Sequence, residues 1–255
     1  NPELDQYPSV YKYQASDSVV REVMECYGAE KAARESLPQW KRQASVIGIY
    51  SPVGRCQKTS FALTLGQILA KDRAVLYLNL ESYSGFEQLL GEVWERNLSD
   101  LLYFLRQDNA SIVHKLSGMI QSVQNLDFVP PALAPMDIQC TDVKEWLRLI
   151  DSIVSESAYE VLILDLGDCV QELYQILDVC TKVYVPVRGD SVSMAKLAQF
   201  ENLLRMWDYE SVLEKLQKIK PPFYSTNRTG KGYIEELAWS EMGDYVRQLQ
   251  RRGPE

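Results

Sequence analysis

The chain of 255 residues contains a single histidine, His114. That scarcity excludes histidine-based metal centres and serine–histidine triads, which need imidazole nitrogens as ligand or base. The five cysteines (Cys26, Cys56, Cys140, Cys169 and Cys180) are odd in number and form no C-x-x-C pair. They fit free thiols in a reducing cytosol rather than a disulfide framework. No apolar run approaches the roughly 20 residues that span a bilayer, and no secretory-signal pattern opens the sequence. Positive charge is also short: 27 Lys and Arg face 35 Asp and Glu, for a net charge of −8 and a pI of about 4.9. A generic nucleic-acid surface is thereby disfavoured. What remains is a globular composition, 46% hydrophobic and 24% charged, with length for one α/β domain and a large core.

The stretch from Ser45 to Leu69 organises the rest. Val46 to Tyr50 is apolar and rich in β-branched residues, as a buried parallel strand requires. A loop follows, Ser51-Pro52-Val53-Gly54-Arg55-Cys56-Gln57, then Lys58-Thr59-Ser60. Beyond it Ala62, Leu65, Ile68 and Leu69 recur at helical spacing. Strand, loop, Lys-Thr and helix is the layout of a phosphate-binding loop. There the loop amides and helix N-terminus hold an anion, the lysine reaches the outer phosphates and the threonine hydroxyl holds Mg²⁺.

Glycine is scarce in this very loop. In the pattern G-x-x-x-x-G-K-[ST] the two glycine positions carry Pro52 and Gln57, and only Gly54 remains. A non-glycine residue at positive φ costs about 1–2 kcal/mol. Arg55 to Thr59 nevertheless contains no proline, so its amides are free to face an anion. A lone Lys-Thr before a helix is equally compatible with an ordinary surface lysine. Cys56, beside Arg55 and Lys58, is either a small inert residue, the commoner case, or a thiol of lowered pKa.

In chain order, residues 1–40 read as an arm or linker, with Ser16-Asp17 capping a helix through Val19, Val20, Val23 and Met24. The Asn1 start suggests a segment cut from a longer protein. Residues 41–255 form the domain. Ala74–Leu80 is a second buried strand, ending in Asn79-Leu80-Glu81. Helices are expected over Phe86–Trp94, Ser99–Arg106 and Asn109–Val123, and a short strand over Leu126–Val129. Asp142 and Glu145 make a capping box for a helix through Trp146, Leu149, Ile150 and Ile153. Glu160–Leu164 is a third strand, followed by Asp165-Leu166-Gly167-Asp168 and a helix through Val170, Leu173 and Leu177. Lys182–Val187 is a fourth strand, after which Asp190 caps a helix carrying Met194, Leu197 and Phe200. Ser211–Ile219 and Ser240–Gln250 read as helices. Strands alternating with helices predict a three-layer α/β/α fold, a mostly parallel sheet with helices on both faces. Its site lies at the C-terminal strand ends.

With those pieces in order, residues 40 to 210 resemble the MinD/ParA group of P-loop ATPases, whose deviant Walker A loop reads K-G-G-x-x-K-[ST], and within it the TadZ/CpaE pilus-assembly localisation branch. Gly54, Lys58 and Thr59 match the loop, and Asn79-Leu80-Glu81 stands where the group carries D-x-D. Asp165 ends a hydrophobic strand as the group's Walker B aspartate does. Val185-Pro186 with Asp190-Ser191-Val192 and Ala195-Lys196 matches its strand, proline and helix start.

The resemblance implies ATP or ADP with Mg²⁺ in a site of Gly54, Arg55, Cys56, Gln57, Lys58, Thr59 and Ser60. Lys58 would contact the phosphates, Thr59 the metal, Asp165 would stand behind the metal and Glu81 would orient a water. It further implies a homodimer, partners from a pilus or secretion machine, and a cytoplasmic protein recruited through them to a cell pole or the inner membrane face. The departures weaken catalysis. The signature lysine is Val53, Arg55 replaces a glycine and either restores the charge or plugs the site, and Asn79 replaces the first acid. Slow or negligible hydrolysis is expected, with a non-binding scaffold of the same fold as the alternative. No strand with base-recognising residues is evident after the helix that begins at Ser191. Nothing supports DNA binding, and the basic end of the last helix (Arg247, Arg251, Arg252) fits helix-dipole complementation better than stable membrane insertion.

Overall fold

A computed structural model describes residues 44–107, 112–226 and 228–251. The expected N-terminal arm and its helix lie outside them. Seven strands form one sheet in the order β3-β4-β2-β5-β1-β6-β7. They are β1 Ser45–Ile49, β2 Val75–Leu80, β3 Gln121–Val123, β4 Leu126–Phe128, β5 Val161–Leu166, β6 Lys182–Pro186 and β7 Leu216–Ile219. All neighbours pair in parallel except the β3–β4 hairpin.

Helices cover both faces. One apolar cluster packs Leu76, Leu78, Leu80, Leu162, Leu164 and Leu166 against α3 (Leu98–Arg106), α4 (Ile112–Ser117), α6 (Val143–Glu156), α7 (Leu173–Val179) and α8 (Ser191–Met206). The other packs Tyr77, Val161 and Ile163 against α1 (Lys58–Leu69), α10 (Lys231–Trp239) and α11 (Glu241–Arg251). The three-layer α/β/α arrangement is as the sequence leads one to expect. Because strand side chains alternate, the residues two beyond Tyr77 and Ile163, namely Asn79 and Asp165, belong to the α1 face. They are register partners at the C-terminal ends of β2 and β5. Two polar residues thus interrupt the apolar runs on the face where the loop after β1 returns.

Several elements differ from expectation. The helix at Phe86 ends at Leu90 as α2, because Gly91 takes φ 65°. The described part of the expected helix, residues 112–123, holds α4 followed by β3; Gln124 and Asn125, both at positive φ, turn the chain into β4. Likewise Ser211–Ile219 is not one helix. It splits into α9 (Glu210–Lys215) and β7, so the strand that looked missing is present beside β6. β5 runs through Leu166, which puts Asp165 inside the strand. α5 (Pro135–Gln139) and α10 were not anticipated. The caps were: Asp142 and Glu145 form the capping box of α6, and the Asp190 side chain accepts from Ser193 N. Among the described residues no helix is long and apolar enough to cross a membrane.

Candidate functional site

The loop from Ser51 to Gln57 is fixed by short contacts rather than by glycine. Ser51 Oγ donates to Pro186 O at 2.6 Å and accepts from Val53 N at 3.1 Å, tying the loop to the end of β6. Cys56 Sγ donates to Val53 O at 3.0 Å. Arg55 and Gln57 take φ 55° and 65°. Both are left-handed conformations that a glycine would adopt at no steric cost. At Gln57 the chain turns into α1, with Phe61 N bonding Gln57 O at 2.9 Å. No side chain caps α1 and its first turn carries no acid. Its leading N–H groups, unpaired within any helix, therefore face an open space with the positive end of the helix dipole.

That space is a cavity of about 470 Å³, within the size range of small-molecule sites. Its lining includes Gly54, Arg55, Cys56, Gln57, Lys58, Thr59, Ser60 and Glu81. The whole expected binding set is thus gathered in its lining, Arg55 with an exposed side chain. Burial pushes the Cys56 thiol above its usual pKa, with Ser51 and Lys58 opposing the shift.

Behind the loop lies a polar cluster. Lys58 Nζ pairs with Glu81 Oε1, donates to Leu166 O, and stands 3.8 Å from Asp165 Oδ1. Its side chain is only 13% exposed. Burial alone would lower its pKa, but Asp165 and Glu81 together outweigh this and raise it above the usual lysine value. Burial lifts the Glu81 carboxyl while Lys58 opposes the shift. Asp165 is 0% exposed; its Oδ2 accepts from Tyr77 Oη at 2.9 Å and Asn79 Nδ2 at 3.3 Å. Asn79 Nδ2 also donates to Tyr77 Oη at 2.9 Å. Asp165 Oδ1 is buried without a hydrogen-bond partner among the described residues. Burial and Asp165 push the Tyr77 phenol well up, so it stays a donor.

The lining also includes Asp168 and Phe223, to which the sequence assigned no role. Asp168 lies two residues past β5 and accepts from Tyr50 Oη at 2.9 Å. Phe223 is 80% exposed on the rim, just past β7 and Pro221-Pro222. An aromatic at the C-terminal edge of a parallel strand is a usable sequence signal. It was lost when 211–219 read as helix.

The arrangement can hold an anion on backbone amides with one ammonium beside it. No group of three or more His, Cys, Asp and Glu residues that could hold a metal occurs among the described residues. A hard cation would therefore depend on ligand oxygens and the Thr59 hydroxyl, with the unpartnered Asp165 oxygen behind it, which suits Mg²⁺.

No protein-family model matches the sequence, and neither does any curated protein. Solved structures do share the architecture. A ParA family ATPase from Chlorobium tepidum TLS superposes with a TM-score of 0.59 at 19% identity, covering 77% of this chain and 80% of that one. The MinC:MinD cell division protein complex of Aquifex aeolicus gives 0.53 at 18%, covering 80% and 78%. Cobyrinic acid a,c-diamide synthase from Mycobacterium smegmatis, solved with an ATP analog and magnesium, gives 0.55 at 13%, covering 80% and 92%. At these identities the likeness is one of fold: the chain has the α/β architecture of ParA- and MinD-type P-loop proteins.

Proposed function

We propose that this chain is a nucleotide-responsive switch that binds ATP or ADP with Mg²⁺ and hydrolyses ATP slowly or not at all. The observation that carries the reading is the uncapped start of α1 opening, with its loop, onto a cavity that also receives Lys58 and Glu81. In this reading the amides from Gly54 to Ser60 hold the phosphates and Thr59 supplies its hydroxyl to the metal. Asp165, fixed by Tyr77 and Asn79, stands behind it. Mg²⁺ would supply neutralisation of phosphate charge. Phe223 offers a ring face to a base, where stacking is worth about 1–3 kcal/mol. Glu81 is the carboxylate available to orient a water. With Val53 in place of the signature lysine, transition-state charge goes less compensated. A comparable arginine finger is worth about 10³–10⁵ in rate, so binding should outlast catalysis.

The dimer face would be the face bearing this cavity. Partners from a pilus or secretion machine would read the bound state, bringing a cytoplasmic protein to a cell pole or the inner membrane face. That finer assignment rests on the resemblance to the TadZ/CpaE branch. Titration with fluorescent ATP and Mg²⁺ tests the switch, with Lys58→Ala as control. Saturable binding lost in the variant supports it. No binding by the native chain, or binding indifferent to Lys58, favours the second reading, a pseudo-ATPase scaffold. One observation favours that scaffold: the only ammonium of the loop is already neutralised by the protein's own carboxylate.

A further inference from the structure

Lys58 is an unusual phosphate ligand in one respect: its charge is already in use. Three oxygens surround Nζ, namely Glu81 Oε1, Leu166 O and, at 3.8 Å, Asp165 Oδ1. The Glu81 end of this contact has a prepared seat. Glu81 N is held by Asn79 Oδ1 at 3.1 Å, which fixes the chain as it leaves β2. On the other side lies Gly167, whose N donates to Leu80 O at 3.2 Å. A β-carbon on Gly167 would lie 2.9 Å from Glu81 Oε2, 2.9 Å from Leu80 O and 3.0 Å from Glu81 Cα. Two of those three atoms are backbone and cannot swing aside. Only glycine lets the ends of β2 and β5 close enough for the carboxylate to reach the ammonium.

We propose that Glu81 is an internal latch: its carboxylate occupies the ammonium of Lys58, and a di- or triphosphate group enters the cavity only by displacing it. The proposal rests on the nucleotide reading above and deepens it, because it says what engages Lys58 before a phosphate does. Entry exchanges one anion for another on Lys58, so the net gain from that lysine is small while Glu81 stays in place. Glu81 lines the cavity with its side chain 28% exposed, so a carboxylate released from Lys58 would stay beside it. There it repels an anion that brings no cation, and is free to hold a water once one does. Asn79 serves the latch as well as Asp165, since its amide oxygen seats Glu81 N while its NH₂ reaches Asp165. The same side chain thus links the two carboxylates, and the replacement of an acid at position 79 acquires a purpose: an amide can donate to one and accept from the other's backbone.

Fluorescent ADP in EDTA is the probe, since it removes both metal and hydrolysis from the measurement. Glu81→Gln should bind it about tenfold more tightly than the native chain, or ~1.4 kcal/mol. Glu81→Asp separates release of Lys58 from simple loss of charge. It keeps the carboxylate but is one methylene short of the ammonium, so it too should bind more tightly, by a smaller factor. Thermal melts of both variants are recorded first, and a folded Glu81→Asp suffices if Glu81→Gln fails. Equal affinity in the native chain and the variants overturns the latch and leaves the nucleotide reading standing. Tightening in Glu81→Gln with none in Glu81→Asp also overturns it, in favour of bulk repulsion. Binding by none of the three in EDTA overturns the latch, and binding by none of them when Mg²⁺ is restored removes the nucleotide reading with it. Binding by the variants alone is the latch in its extreme form.

Discussion

Replacing Lys58 by methionine should destabilise the protein, because its ammonium belongs to the fold's own polar cluster. Methionine keeps the aliphatic stem of α1's first residue and removes the ammonium alone. What it leaves is Asp165, 0% exposed and with one oxygen lacking a hydrogen bond among the described residues, beside Glu81 at 28% exposure. Removing one partner of a buried pair costs about 3–5 kcal/mol, because the stranded charge stays desolvated. Water reaches Glu81, and Tyr77 and Asn79 still support Asp165 Oδ2, so the lower end applies, about 3 kcal/mol. For a domain of this size each kcal/mol moves the midpoint by about 2–4 °C, giving a fall of roughly 6–12 °C. The assay is calorimetry at neutral pH without nucleotide, with urea denaturation for the free energy. Adding Asp165→Asn to Lys58→Met should recover more than half of the loss, since the amide oxygen still accepts from Tyr77 while the stranded charge is gone. A Lys58→Met midpoint within about 2 °C of the native chain would refute the reasoning. So would a double variant no more stable than Lys58→Met, which would mean that the ammonium is solvated and Asp165 is held by its hydrogen bonds alone.

Three further outcomes follow from other parts of the molecule. Gly243→Ala places a β-carbon 2.1 Å from Ala238 O and 2.6 Å from Ala238 C, backbone that cannot yield; α11 must shift, and urea denaturation should show a loss of about 3 kcal/mol, the upper end of overpacking. Gln57→Gly should raise the melting midpoint: it relieves about 1–2 kcal/mol of left-handed strain at φ 65° and removes a buried amide oxygen with no hydrogen-bond partner among the described residues, against up to about 1 kcal/mol of added unfolded-chain entropy. Arg106 bonds Glu145 through Nε at 2.7 Å and Nη2 at 2.9 Å, and this holds the Glu145 carboxyl below its usual 4.5. The pair's stabilisation, up to about 1 kcal/mol for so exposed a contact, is present above that value and disappears as the pH falls through the lowered one. The midpoints of Arg106→Met and the native chain should therefore differ at neutral pH and converge in acid.

The central strands were legible because they are buried on both faces. Runs such as Ala74–Leu80 and Glu160–Leu164 have no polar alternation and no helical period, which leaves a parallel strand as their reading. The caps at Asp142 and Asp190 were legible because a short acid before an apolar helix has a local reason to be there. The edge strands were not. Leu216–Ile219 reads LQKI directly after a helix, with no glycine or proline between. Its strand state is decided by pairing with β6, a contact the local sequence does not announce. The β3–β4 hairpin turns on Gln124-Asn125 rather than the Asn-Gly expected of such a turn. At the site, Lys58, Glu81 and Asp165 were readable as strand and loop ends. Their mutual engagement was not, since it depends on the close approach of β2 and β5 at Gly167, and Phe223 was hidden with β7.

The loop itself argues that a glycine signature and a phosphate cradle are separable. Gly54, the one glycine kept, does not take positive φ, and a β-carbon there would meet nothing within 4 Å. The left-handed positions fall instead on Arg55 and Gln57. A backbone that keeps such a path with the wrong residues is being held from outside: by Ser51 on Pro186, by Cys56 on Val53, and by α1 anchored through Phe61 in the core. Strain of about 1–3 kcal/mol per residue persists only where surrounding contacts over-determine the conformation. Glycine lowers the cost of the path but does not draw it. The amides can therefore converge on one hollow after the motif that usually marks them has gone. What glycine's loss does change is the wall, which now carries the Arg55 and Gln57 side chains where a glycine-rich loop would present bare backbone. On the proposed reading, the chemistry that survives is anion binding by main chain. The chemistry placed at risk is whatever needs a second backbone or subunit to approach that wall closely.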